Sequence, residues 1–323
     1  MPPLTAIPPE ILRDRHRLSS QQINALFGRQ VIEESFEEKA KALGKVGEFL
    51  RITDALASAG IAFVPLKGPL LSFRIYGDAT FRTFNDLDIL VDSSSLSNIK
   101  ETLEGFGYNS YGQPWSAGSR EQQRILRYGH HISFVHPEKQ TAFEIHWKLA
   151  PASWLNFRSI DVLSSSFLVQ TDFEGRSFTV LNREAELFFL VVHGGHHRWG
   201  MLKWLADINM YLMSQEICRM SFTDHVRTLN AGRLVGLCNT MLSQYFPESP
   251  LLPGGTKVPG YMVRLSKRTI EKTDYTGPKT VGEIITNIRF VINAYPGAWY
   301  KLRVLLSTLN NSVLHGRLSR LHR

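Results

Sequence analysis

The sequence predicts an α+β protein: a small mixed sheet with flanking helices, followed by a helical C-terminal half. Two observations predict it. Short apolar runs punctuated by glycine, proline and serine fall between residues 60 and 150, as short strands do. Helical spacing of apolar residues precedes that stretch and resumes beyond residue 180, as amphipathic helices require. We expect three parts: a helical segment 1–59, an α/β unit 60–180 and a helical domain 181–323.

After the N-terminal prolines, Ile23, Leu26, Phe27, Val31 and Ile32 recur near helical spacing, and Gly60 ends this helical region. "IAFVPLKG" reads as a buried strand over 61–66, broken by Gly68 and Pro69, and "LLSFRIYG" as a helix. The loop "DATFRTFND" leads to a second strand over 87–92. Ser93, Ser94 and Ser95 are candidate caps for the helix "LSNIKETLEGFG", since a serine hydroxyl accepts from the first free N–H groups. The polar stretch 110–124 reads as loop with some helix. "HISFVHP" and "TAFEIHWKL" then form two strands joined by a turn at Pro137-Glu138-Lys139-Gln140. From "NREAELFFLVVHGGHH" onward the pattern is helical.

At 323 residues, with 43% hydrophobic and 20% charged side chains, the composition is that of an ordinary globular protein with room for two domains. No apolar run reaches the roughly 18 residues of a membrane span, and the N-terminus lacks the basic-then-apolar layout of a secretion signal. The two cysteines, Cys218 and Cys238, argue against a disulfide framework and suit a reducing compartment. We therefore expect a cytoplasmic protein. The net charge of +8 is concentrated from Arg264 onward, where 11 Lys/Arg face three acids. That tail is either a solvated basic face or a surface for a polyanion.

The stretch "FRTFNDLDILVD" places Asp86 and Asp88 two apart at the start of an apolar strand. Residues two apart in a strand point the same way, so both acids share a face. They either cap a turn or hold a cation, because two adjacent carboxylates repel unless a positive charge lies between them. Hard divalent cations such as Mg2+ take carboxylate oxygens together with phosphate and water. Glu144, at the start of a later apolar run, can reach the same centre if the two strands are neighbours. There it would hold metal or take a proton from an attacking hydroxyl. His146 shares its face, either contacting phosphate, orienting Glu144 or packing under the helical half. Lys67 and Gly68 stand at a strand-to-helix junction, where glycine permits close backbone approach and a helix N-terminus favours anions. Arg82 either clamps phosphate oxygens bidentately or pairs with Asp78 or Asp86.

The ordered set "LKGPLLSFRIYGDATFRTFNDLDILV", "HISFVHPEKQTAFEIHWKL" and "VVHGGHHRWGMLKWLADINMYL" resembles the uncharacterised nucleotidyltransferases of the DNA polymerase beta-like superfamily over roughly residues 60–210. On that resemblance Gly68 matches the turn glycine, Asp86 and Asp88 the metal pair, and Glu144 the third acid. It implies Mg2+- or Mn2+-dependent transfer of a nucleotide from an NTP to an acceptor, with pyrophosphate leaving. Lys67, Gly68, Arg82 and His146 are then the expected NTP contacts. Pro69 departs from the pattern, in which serine or a second glycine is common, and it offers no N–H to phosphate, so phosphate contact is expected from Lys67, Arg74 or Arg82 instead.

"HGGHHRWGMLKW" invites a zinc reading for His193 and His197. Gly194 stands where a zincin needs glutamate, and the two glycines weaken a helix, so we expect packing or cleft-facing roles for His193, His196 and His197. Trp199 and Trp204 are expected in the core or between domains. Two alternatives to the enzyme remain: a catalytically inactive module that binds nucleotide or a partner, and an RNA-directed nucleotidyltransferase. The acceptor, whether small molecule, peptide or protein, is not legible.

Overall fold

A computed structural model describes residues 4–111, 119–150, 165–272, 280–302 and 304–305. After a 3-10 turn, helices α1 (Pro9–Asp14), α2 (Ser20–Phe27) and α3 (Phe36–Ser58) precede the sheet. Ser19 opens α2 through a reciprocal capping box with Gln22, and Gly28 closes it in the left-handed conformation. Strand β1 (Phe63–Pro65), helix α4 (Gly68–Tyr76), strand β2 (Asp86–Val91) and helix α5 (Leu96–Gly105) follow. Ser93–Ser95 form a 3-10 turn capped by Asp92, whose side chain accepts from the Ser94 N–H, and Ser95 stands at the N-cap of α5 without a side-chain cap hydrogen bond. Within the polar stretch 110–124, residues 112–118 lie outside the described residues. The remainder holds the end of β3 (Asn109–Tyr111) and the start of α6 (Arg120–Tyr128).

Strands β4 (His131–His136) and β5 (Thr141–His146) form the expected hairpin. The sheet runs β1-β2-β5-β4-β3. Only the β2–β5 pair is parallel, which makes the sheet mixed as expected. A second hairpin, β6 (Leu168–Phe173) with β7 (Arg176–Leu181), precedes the helical half. That half comprises α7 (Arg183–His196), α8 (Leu202–Ser214), α9 (Arg219–Thr228), α10 (Gly232–Tyr245), α11 (Gly260–Glu271) and α12 (Val281–Ala294). Of the basic C-terminal run, Lys279, Arg303, Arg317, Arg320 and Arg323 lie outside the described residues. No helix among the described residues is long and apolar enough to cross a membrane.

Two apolar cores result. The sheet packs with α3 and α5 through Phe49, Ile52, Ile89, Ile99 and Phe143. The helical half packs around Leu187, Val191, Leu205, Leu237 and Met241, and residues Leu12, Leu18 and Ile23 from the N-terminal segment join it. Buried ion pairs tie the halves together: Arg74 on α4 to Glu186 on α7 at 2.7 Å, and Arg82 to Asp207 on α8 at 2.8 Å. Helix α7 runs unbroken through Gly194 and Gly195. Both are packing positions. A Cβ on Gly194 would come within 2.1 Å of the Trp199 ring, and one on Gly195 within 3.0 Å of Leu234.

Candidate functional site

The parallel register of β2 and β5 sets Asp88 opposite Glu144 and Asp86 opposite Ala142. All four therefore lie on one face of the sheet. Leu66 donates its backbone N–H to the Asp88 carbonyl at 2.9 Å, extending the β1–β2 ladder by one step. That step places Lys67 against Asp88, with Nζ 3.0 Å from Oδ1. Gly68 follows at φ +74, and a Cβ there would meet Leu87 at 3.3 Å. Its left-handed backbone turns the chain from β1 into α4, with Pro69 in the first helical turn.

His146 links the two acids. Its Nε2 lies 3.1 Å from Asp88 Oδ1 and 3.4 Å from Glu144 Oε2. Burial alone would lower the pKa of Lys67 and of His146, but the surrounding carboxylates outweigh it and raise both. Burial would likewise raise Asp88 and Glu144. Lys67 and His146 hold Asp88 well below the usual carboxylate range, and His146 holds Glu144 down. The result is a compact arrangement of alternating charge.

This cluster forms one wall of a cavity of about 510 Å3, within the size range of small-molecule sites. Of the residues singled out in the sequence for chemistry, Lys67, Gly68, Arg82, Asp86, Asp88, Glu144 and His146 line it, whereas Arg74 does not and pairs with Glu186 instead. His193, His196 and His197 from α7 line it too. His193 and His197 share a helical face, with rings 4.8 Å apart, and both pack on Trp204. Trp199 is fully buried.

Arg82 reaches the cavity wall held by a partner that the sequence did not suggest. Its Nε and Nη2 donate to Asp207, not to Asp78 or Asp86, while the buried Nη1 has no hydrogen-bond partner.

A family model described as "Uncharacterised nucleotidyltransferase" matches residues 16–247. The chain belongs to that family. The match spans the sheet and the helices through α10, so it includes both walls of the cavity. No curated protein sequence matches. Among solved structures, the chain is similar to the lincosamide antibiotic adenylyltransferase LnuA, at 17% identity, TM-score 0.30, covering 44% of this chain and 84% of that one. It is similar to the antibiotic-resistance factor ANT(2'')-Ia at 13% identity and TM-score 0.37, covering 57% and 89%. It is also similar to an antigenic nucleotidyltransferase-like protein from Paracoccidioides brasiliensis at 15% identity and TM-score 0.36, covering 64% and 89%.

Four basic or histidine side chains in the lining were not read from the sequence as part of the site: Arg17, His130, His131 and Lys203. A signal existed for His131. A hairpin turning at 137–140 pairs 131 with 146 by simple counting, and the structure has that register. Lys203 lies one turn before Asp207 on α8. Among the described residues it makes no hydrogen bond or ion pair. Burial, followed by the nearby Arg82, lowers its pKa to about 8.

The donor chemistry suits a hard divalent cation. Asp88 Oδ2 is buried without a hydrogen-bond partner, Asp86 makes no ion pair among the described residues, and Glu144 is only half-buried. Asp88, Glu144 and His146 bring donor atoms within 4.8 Å of one another. The carboxylate oxygens of Asp88 and Glu144 are the donors in this group that a Mg2+- or Mn2+-sized ion takes.

Proposed function

We propose that this nucleotidyltransferase is Mg2+-dependent (Mn2+ substituting) and transfers NMP from an NTP to an acceptor hydroxyl or phosphate. The observation that carries the reading is the β2–β5 register, which sets Asp88 beside Glu144 on the cavity wall that Asp86 also lines. Asp86, Asp88 and Glu144 would hold the divalent ion. When bound, the ion supplies charge stabilisation to the α-phosphate.

The chain's own groups do the rest. Glu144 is oriented by His146 and is the carboxylate most open to the cavity of the Asp88–Glu144 pair, so it accepts the proton of the attacking hydroxyl. Lys67 and the N-terminus of α4 at Gly68 face the phosphates, where a fixed positive charge and free N–H groups favour anions. Arg82 offers its unpartnered Nη1 to the departing pyrophosphate, and Lys203 and Arg17 also line the cavity. On this reading residues 60–180 carry the chemistry and 181–323 shape the acceptor side.

The test is to incubate the protein with Mg2+ and each α-labelled NTP, following label transfer and pyrophosphate release with candidate acceptors. Label should move in the wild type and fall to background in Asp88→Asn. Transfer that persists unchanged in both Asp86→Asn and Asp88→Asn overturns the assignment. The 3.0 Å Lys67–Asp88 contact favours one second reading, nucleotide binding without turnover. Measured binding with no transfer by any NTP and acceptor pair would favour it.

A further inference from the structure

The carboxylates account for one side of the cluster and leave the imidazoles unexplained. His131 stands opposite His146 in the β4–β5 register, with ring centroids 5.1 Å apart. His130, just before β4, sets its ring edge-on to His131 at 4.3 Å and lies 5.8 Å from His146. His130 Nε2 and His131 Nδ1 are 2.9 Å apart, so two ring nitrogens share one proton between them. His146 Nδ1 is buried without any partner, in a residue only 5% exposed. An unsatisfied buried nitrogen costs free energy that a ligand would recover. Taken together, the three histidines bring donor nitrogens within 4.8 Å of one another.

We propose that His130, His131 and His146 form a second metal site, selective for a borderline divalent cation of the zinc class, next to the carboxylate site. Imidazole nitrogen favours Zn2+ and its neighbours in the transition series, whereas Mg2+ keeps to oxygen. Nitrogens around a tetrahedral zinc ion at about 2.0–2.1 Å lie roughly 3.4 Å from one another. Side-chain rotations of about an ångström therefore close the observed spacing. The surroundings are those of a built site. Asp88 and Glu144 contact Nε2 of His146, the carboxylate–histidine arrangement that orients a ligating ring, and Glu144 Oε1 lies 3.9 Å from His131 Nε2. All three histidines line the cavity, so the ion would keep a position open to water or substrate, as catalytic zinc sites do. This inference goes beyond nucleotidyl transfer and stands without it.

The experiment uses the full-length chain without a histidine tag, stripped with chelator and kept in millimolar Mg2+ to load the carboxylates. Zn2+ is titrated against a chromophoric chelator, and Co2+ is substituted to report nitrogen coordination by its visible spectrum. We expect one equivalent of tightly held Zn2+, an affinity at least tenfold weaker in His130→Gln and in His131→Gln, and wild-type affinity in Asp86→Asn. Circular dichroism on each variant identifies any that fails to fold, and the remaining single variant then decides. No stoichiometric Zn2+ in the wild type, or unchanged affinity in a folded histidine variant, overturns the site. Zinc binding without any nucleotidyl transfer would overturn only the transfer reading, and transfer without zinc binding only this one.

Discussion

Arg82 donates from Nε and Nη2 to both carboxylate oxygens of Asp207 at 2.8–3.2 Å, and Tyr76 adds a hydroxyl donor to the same carboxylate. Both charged residues are almost fully buried. Removing one partner leaves the other charge unpaired away from water, which costs about 3–5 kcal/mol. Asp207→Ala should therefore lower the free energy of unfolding by that amount in urea titrations. An effect under about 1 kcal/mol would mean that water reaches the guanidinium. Glu144→Gln is expected to act differently: it keeps the side chain's shape and removes its basicity. Single-turnover transfer should fall about 10²- to 10⁴-fold while the thermal midpoint barely moves. Residue-level legibility follows sequence distance. Asp86, Asp88 and Glu144 were readable because alternation along a strand fixes their face and each begins an apolar run. The Arg82 partner lies 125 positions away, and local pattern holds no trace of it. His130 and His131 could be seen only once the hairpin register was counted.

At the scale of elements, long segments with a strong period were legible and short or exposed ones were not. α7, α8 and α10 bury continuous apolar faces, and their spacing declares them. β3 has three residues, too few to show alternation. β6 exposes most of its length and buries only Phe173, so its sequence carries no apolar stripe. Its turn to β7 uses Glu174 and Gly175, both with positive φ, and glutamate there is a weak turn signal. The packing role of the α7 glycines was not legible because propensity is a local quantity and packing is not. Gly194 is required by Trp199, whose ring occupies the space of a side chain. Gly194→Ala should destabilise by about 1–3 kcal/mol or more through overpacking. Gly195→Ala meets only the end of the flexible Leu234 side chain at 3.0 Å and should cost less. Equal thermal midpoints for the two variants would refute this account of the pair.

Across the whole molecule, residues 4–27 act as a strap. Arg15 donates to the carbonyls of Gly200, Thr269 and Lys272, and Ser19 and Thr83 bridge the strap to the loop that carries Arg82. His16 is the acid-sensitive point in it. It is buried, and its Nδ1 accepts from the Leu202 N–H at 3.4 Å, which requires an unprotonated nitrogen. Burial, then the adjacent Arg15, lowers its pKa from 6.5 to about 4. Between those values the unfolded chain holds a proton that the folded chain does not, so stability falls as pH drops through that window. Glu48 works in a lower window. Burial opposes its ionisation, but hydrogen bonds from Arg51, Lys139 and Tyr108 prevail and bring its pKa to about 2. Its contribution is complete above the unfolded value of 4.5 and is lost as pH falls toward 2. Urea midpoints taken from about pH 7.5 down to about pH 4 should therefore decline with acid. His16→Gln, which keeps an acceptor but cannot titrate, should remove up to about one proton from the slope above pH 4. Glu48→Gln should leave that slope unchanged and flatten the decline only below about pH 4.5. An unaltered slope in His16→Gln would mean that the strap releases before His16 is protonated, and that acid opens the molecule elsewhere.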